Sequence, residues 1–210
     1  MSRIEELVEN TIEDFCLEFL KFPYLCYTEH GLHAMFYAKL LDNMPVNRRI
    51  IRVGDKDICI VQKEYSMAHR QGESKRAHWD IAILEDTQAS DKGNWYDFLK
   101  LNSVVEFGLN ESIDHLERDV KRLSHQESGV KHGFVVHLHR YSRAVTRRDW
   151  VRKHGRTKMQ IEVQDEIQSI LRDVGGDVIA YFALVDSVTG TKVGPLRMDR
   201  TSEPLLVKAR

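Results

Sequence analysis

Two short apolar segments each carry a single carboxylate, and these two acids are the first candidates for chemistry. Asp80 lies within the segment 76–84, and Glu106 lies within the segment 103–109. Side chains alternate between the faces of a strand, so each acid should point away from the apolar residues beside it. Two half-buried carboxylates are costly unless a partner neutralises them, and a hard divalent cation such as Mg²⁺ or Mn²⁺ binds oxygen ligands. The alternative is that each acid pairs with an arginine or caps a strand end.

The composition is that of an ordinary globular protein. The 210 residues are 42% hydrophobic and 30% charged with a net charge of -1, which favours a single domain over 1–210 and neither indicates nor excludes nucleic acid. The charge is polarised, because the first helix is acidic whereas the segment 140–158 is basic. The basic residues that could contact phosphate are Arg140, Arg143, Arg147, Arg148, Arg152 and Lys153.

The cysteines and the apolar runs indicate a cytoplasmic protein without a membrane partner. Cys16, Cys26 and Cys59 stand in apolar surroundings without metal-ligand spacing, as reduced core thiols do. We expect neither a signal peptide nor a membrane span, because the hydrophobic runs are short.

Hydrophobic periodicity predicts mixed α and β elements. Residues 2–21 form an amphipathic helix, and a second helix starts at the N-cap Thr28 and ends before Pro45. Strands at 49–53 and 57–65 form a hairpin. The strands of Asp80 and Glu106 come next, followed by a helix from 112, a strand at 133–139, a helix at 161–174 and a strand at 177–185. This order predicts an α/β fold with a mixed central sheet and helices on both faces.

This arrangement of acids resembles the PD-(D/E)XK nuclease superfamily, which has the restriction-endonuclease-like fold. Asp80 and Glu106 match its two strand acids, Glu29 matches an acid in the preceding helix, and Glu64 matches the acid-bearing first strand of some members. The resemblance implies a three-layer α/β/α domain. We therefore expect an N-terminal helical extension at 1–26, a nuclease-like core at 27–186 and a C-terminal extension at 187–210.

The resemblance also implies a reaction and its partners. Asp80 and Glu106 would hold Mg²⁺ or Mn²⁺, and Glu29 and Glu64 would assist in hydrolysing DNA phosphodiester bonds. The basic residues of 140–158 would grip phosphates, since arginine and lysine neutralise the nucleic-acid backbone. A homodimer or a protein partner stays open.

One position departs from the family pattern. Gly108 stands where the family has a lysine that orients the attacking water. Lys121, Lys63, His137 and His139 are the substitutes considered. Lys121 has an i, i+4 partner on a solvent face, and Lys63 should alternate away from the site. Gly108→Lys would restore the pattern if the site has room.

Other interpretations stay open. A domain of the same fold without activity could bind nucleic acid or a protein partner, and Gly108 favours that alternative. In an unrelated α/β domain, Asp80 and Glu106 would form separate salt bridges. His30 and His33, at i, i+3 on a helix, could hold a metal, but the sequence offers no third ligand.

Overall fold

A computed structural model gives a six-stranded mixed sheet with helices packed on it, and it describes residues 4–66, 78–86, 99–141, 163–174 and 176–202. The elements are α1 (Ile4–Lys21), α2 (Glu29–Asn43), β1 (Ile50–Val53), β2 (Lys56–Cys59), β3 (Val61–Ser66), β4 (His78–Leu84), β5 (Leu101–Leu109), α3 (Ile113–Ser124), β6 (Val130–Tyr141), α4 (163–174), β7 (Val178–Asp186) and β8 (Thr191–Met198).

The strands lie in the order in which they follow one another along the chain. The order is β3-β4-β5-β6-β7-β8, and β1 and β2 form a separate hairpin. Strands β3, β4 and β5 are antiparallel neighbours, β5, β6 and β7 are parallel neighbours, and β8 returns antiparallel to β7. Parallel neighbours need a crossover connection, and α3 and α4 lie in those two connections. The predicted α/β fold with a mixed sheet is thereby confirmed.

Local sequence signals account for the two N-terminal helices. The predicted helix 2–21 is α1, with its apolar stripe buried. The Thr28 side chain accepts a hydrogen bond from the Gly31 amide at 3.1 Å, so it is the N-cap that its residue type predicts. No helix in the described part of the chain is both long enough and apolar enough to cross a membrane.

Two features of the sheet differ from the sequence-based expectation. The predicted strand 57–65 is divided at the buried Ile60, so β2 pairs in the hairpin and β3 pairs with β4. Strand β8 lies within the segment expected to be a C-terminal extension, and it pairs with β7 at the sheet edge. Gly194 and Pro195 favour a turn in the sequence, but an edge strand tolerates proline because one row of its amides needs no partner.

The helices cover the sheet on two faces and position the acid-bearing strands. Helix α1 contacts β5 to β8, and α2 contacts β3 to β5. Phe15 of α1 and Phe36 of α2 pack edge-on against Phe107 of β5, with ring centroids 5.8 and 5.2 Å from it. On the opposite face, Arg122 of α3 contacts Glu106 of β5. The adjacent residues Glu106 and Phe107 of β5 therefore point to opposite faces of the sheet, Glu106 toward α3 and Phe107 toward α1 and α2.

The aromatic cluster should be the main support of the acid-bearing strand. We expect Phe15→Ala to lower the free energy of unfolding by about 3–5 kcal/mol, because it leaves a cavity against Phe36 and Phe107. The control is Leu17→Ala on the exposed side of the same helix, which should change it by less than about 1 kcal/mol. Urea unfolding measures both, and similar losses for the two variants would contradict this packing.

Candidate functional site

The two strand acids meet where β4 separates from β5. The paired register of these antiparallel strands ends at Ile81 and Val105, so Asp80 and Glu106 occupy the next position on each strand. The Asp80 carboxylate (Oδ2) accepts the Phe107 amide at 2.8 Å, in the place of a backbone partner. The Asp80 side chain thus accepts the hydrogen bond that a β4 carbonyl would otherwise accept. This bond holds Asp80 beside Glu106.

The Glu106 carboxyl group is buried beside that of Asp80. Its side chain is 3% exposed, and its Oε2 lies 2.9 Å from the Arg122 guanidinium. No N–H or O–H donor within the described ranges contacts its Oε1, and a hydrogen bond with Asp80 is among the smaller causes that raise the pKa of Glu106. Burial, and next the neighbouring Asp80 carboxylate, raise the pKa of Glu106 well above its ordinary value, and Arg122 acts against this shift. Among the described residues, no lysine or arginine side chain is recorded in contact with Asp80, whose side chain is 20% exposed.

The other two predicted acids lie around the same point. Glu29 of α2 accepts the Leu109 amide at 2.9 Å, two residues beyond the amide that Asp80 accepts. Glu64 lies between the two β3 residues that pair with Ile81 and Trp79 of β4, which places it across from Asp80. The structure therefore brings Glu29, Glu64, Asp80 and Glu106 to one end of the three-stranded antiparallel part of the sheet.

A buried histidine lies between these acids. The His33 side chain is 1% exposed, with its Nε2 3.6 Å from Asp80 and its Nδ1 4.0 Å from Glu64. Burial lowers the pKa of His33, while Asp80 and Glu29 act in the opposite direction. Sequence reasoning considered His33 only as a metal ligand with His30. The signal that could have placed it here is its i, i+4 spacing from Glu29, which puts both on one helix face.

At position 108, where the resemblance places a lysine, a side chain of the neighbouring strand β6 occupies the space. Gly108 pairs with His137 across β5 and β6, and a Cβ atom on Gly108 would lie 2.6 Å from the His137 Nε2. The condition placed on Gly108→Lys, that the site has room for the side chain, is therefore not met while the His137 ring keeps this position. Glycine fits this position because a Cβ atom would overlap the His137 imidazole.

The strand histidines belong to the core on the α3 face. The His137 ring is 1% exposed, and its Nε2 lies 3.8 Å from the Asp119 carboxylate. His139 packs on the Phe182 ring at 5.1 Å, and burial lowers the pKa of His139 to about 3. Neither of these contacts directs the two imidazoles toward Asp80.

The two lysines considered as substitutes differ in position. Lys121 pairs with Glu117 at 2.5 Å on an exposed helix face, as its spacing predicts. Lys63 was expected to point away from the acids, but its Nζ lies 3.3 Å from the Glu64 carboxylate. Glu64 has φ of 53°, which interrupts the alternation of side chains along β3. Lys63 therefore brings a positive charge to the acidic end of the sheet.

Arg140 has a different role from the predicted phosphate contact. Its guanidinium donates hydrogen bonds to the carbonyl oxygens of Pro23, Cys26 and Tyr27, and it lies over the rings of Tyr24 and Tyr27. These contacts anchor the α1–α2 loop and leave Arg140 buried. The remaining predicted phosphate contacts, Arg143, Arg147, Arg148, Arg152 and Lys153, lie outside the described residues.

Comparisons with protein-family models, with curated proteins and with solved structures found no match to this chain.

The close approach of Gly108 and His137 gives a testable expectation. Gly108→Ala should lower the free energy of unfolding by about 1–3 kcal/mol, because the added methyl group overlaps a buried ring. In a His137→Ala background the same change should cost much less, since the space is then open. Equal costs of Gly108→Ala in both backgrounds, measured by urea unfolding, would show that the ring does not restrict this position.

Proposed function

We propose that this protein is a metal-dependent nuclease that hydrolyses DNA phosphodiester bonds, with Asp80 and Glu106 as ligands of Mg²⁺ or Mn²⁺. The observation that carries the proposal is the meeting of these two carboxylates where β4 leaves β5. Two carboxyl groups are held together there, one of them is almost fully buried, and each disfavours ionisation of the other. Such an arrangement is costly in the absence of a cation.

The residues present fit a hard divalent cation. Glu106 offers the buried oxygen Oε1, which no N–H or O–H donor among the described residues contacts, and Asp80 is partly open to solvent. Oxygen ligands from carboxylates are those that Mg²⁺ prefers. The contact between Arg122 and Glu106 Oε2 fixes the orientation of the carboxylate, as groups around a ligand commonly do.

The order of elements supports the same proposal. Apart from the β1–β2 hairpin that follows α2, the elements from α2 to β6 are a helix, three strands, a helix and a strand, and Glu29, Glu64, Asp80 and Glu106 lie on that first helix and those three strands. This is the order that the restriction-endonuclease-like resemblance implies. We propose that fold for the core at 27–186, with α1 as the N-terminal addition.

The chain's own groups have distinct parts in the proposed reaction. When bound, Mg²⁺ supplies a Lewis acid for the phosphate and an activated water. Asp80 and Glu106 hold the ion, and Glu29 is fixed by the Leu109 amide at the edge of the site. Lys63, 32% exposed, can balance negative charge on a phosphate, which is the part that a lysine at position 108 would otherwise have.

DNA is the proposed partner because of the basic residues from Arg143 to Lys153. Phosphate contacts of this kind are independent of base sequence and weaken as salt rises. A cytoplasmic location, a single domain and a homodimer or protein partner remain predictions from the sequence.

A domain of the same fold that binds nucleic acid or a protein without cleaving it is the second candidate. The observation that favours it is the His137 ring over Gly108, because it closes the family's lysine position. The two candidates differ in one measurable property, the cleavage of DNA when Mg²⁺ or Mn²⁺ is added.

Metal-dependent stabilisation and cleavage test the proposal. At a free Mg²⁺ concentration of about 100 times its dissociation constant, native-state binding should add about 2.7 kcal/mol to the free energy of unfolding. Asp80→Asn should remove this gain and lower cleavage of linear and circular DNA by at least about 100-fold. The matched control is Asp42→Asn, an exposed aspartate of α2, which should behave like the parent.

Two outcomes would contradict parts of the proposal. A metal-induced gain that survives in Asp80→Asn would show that the ion binds elsewhere. Binding of DNA without any cleavage in Mg²⁺ or Mn²⁺ would favour the second candidate.

A further inference from the structure

A second group of potential metal ligands lies at the exposed end of the acidic cluster. It consists of His30 and His33, one helical turn apart on α2, and Glu64 of β3. One ligand atom from each residue lies within 4.8 Å of the other two. The Glu64 Oε1 is 3.8 Å from the His30 Nδ1 and 4.0 Å from the His33 Nδ1. The third ligand that the sequence did not reveal is therefore supplied by the fold.

These distances are close to those of a metal site. Zinc bonds to nitrogen and oxygen are roughly 2.0–2.2 Å long, so tetrahedral ligand atoms are roughly 3.3–3.5 Å apart. The Glu64 carboxylate must approach each imidazole by roughly 0.5 Å, and the widest separation within the group, up to 4.8 Å, must shorten by roughly 1.5 Å at most to reach this geometry. The side chains of His30 and Glu64 are 78% and 44% exposed, so they can make this adjustment.

His33 gives an independent indication of a ligand. Its side chain is 1% exposed, and neither ring nitrogen has a hydrogen-bond partner in the described part of the chain. A buried polar group without a partner is costly, and coordination of Nδ1 would remove part of that cost. Nε2, 3.6 Å from the Asp80 carboxylate, would then donate to it, in the arrangement by which carboxylates orient metal-binding histidines.

Among the described residues, the Lys63 ammonium is positioned to compete with a cation for Glu64. It lies 3.3 Å from the same oxygen, Oε1, on a partly exposed side chain. Exposed ion pairs of this kind contribute little to stability, because solvent screens them. A metal ion can therefore displace the ammonium from Glu64 at low cost.

We propose that His30, His33 and Glu64 form a binding site for a first-row transition ion of the zinc class, separate from the Asp80–Glu106 pair. Imidazole nitrogens suit Zn²⁺ and Co²⁺, whereas Mg²⁺ prefers an all-oxygen set. The two sites are thus selective for different ions. This inference goes beyond the proposed nuclease activity and does not depend on it.

Direct titration of the full chain tests the proposal without nucleic acid. Zn²⁺ is added to metal-free protein in excess Mg²⁺ and followed by calorimetry, and Co²⁺ is followed by its visible absorption. One equivalent should bind. His30→Ala and Glu64→Gln should each weaken binding at least about tenfold, because each removes one of three protein ligands. Lys63→Gln should bind at least as tightly as the parent, and His132→Ala on β6 is the matched histidine control.

Glu106→Gln separates this site from the nuclease proposal, because it should lose the Mg²⁺ effect and keep Zn²⁺ binding. Zinc affinity that is unchanged in both His30→Ala and Glu64→Gln would overturn the inference. Loss of Zn²⁺ binding in a folded Glu106→Gln variant would also overturn it, since the ion would then occupy the carboxylate pair.

Discussion

The hydrogen bond from the Phe107 amide to the Asp80 carboxylate is the interaction on which the site depends. Strand β4 stops pairing with β5 after Ile81 and Val105, so the amides further along β5 would face an open gap. Asp80 accepts the first of them and Glu29 accepts the amide of Leu109. Two acids from two different elements are thereby fixed along one strand edge by backbone groups that cannot move independently of the sheet.

Within the described ranges, this arrangement leaves the acids with few positive partners. On the α3 face, Arg122 contacts both Glu106 and Asp119, so one guanidinium serves two buried carboxylates. On the other side, Asp80, Glu29 and Glu64 surround His33, which burial keeps toward its neutral form. Lys63 reaches only Glu64 among the contacts described. A cation drawn to the Asp80–Glu106 pair, and a second one drawn to the histidines, would each neutralise part of this excess.

The sequence predicted the elements better than it predicted the contacts between them. Helix α1, the Thr28 cap and the acid-bearing strands follow from periodicity and from short-range signals. The His137 ring over Gly108 does not, because it depends on the register of two parallel strands separated by a helix. Arg140 was grouped with its basic neighbours, although its guanidinium binds carbonyls of a loop more than a hundred residues earlier. Lys63 was misplaced because no local pattern reveals the positive φ at Glu64.

Crystals of the protein soaked in Mn²⁺ and measured for anomalous scattering would test the central claim most directly. The account predicts an anomalous peak within coordination distance, about 2.0–2.3 Å, of both the Asp80 and Glu106 carboxylates, and no such peak in Glu106→Gln. At saturating Mn²⁺, a parent structure without that peak, in which the two carboxyl groups lie within hydrogen-bond distance of each other, would contradict it.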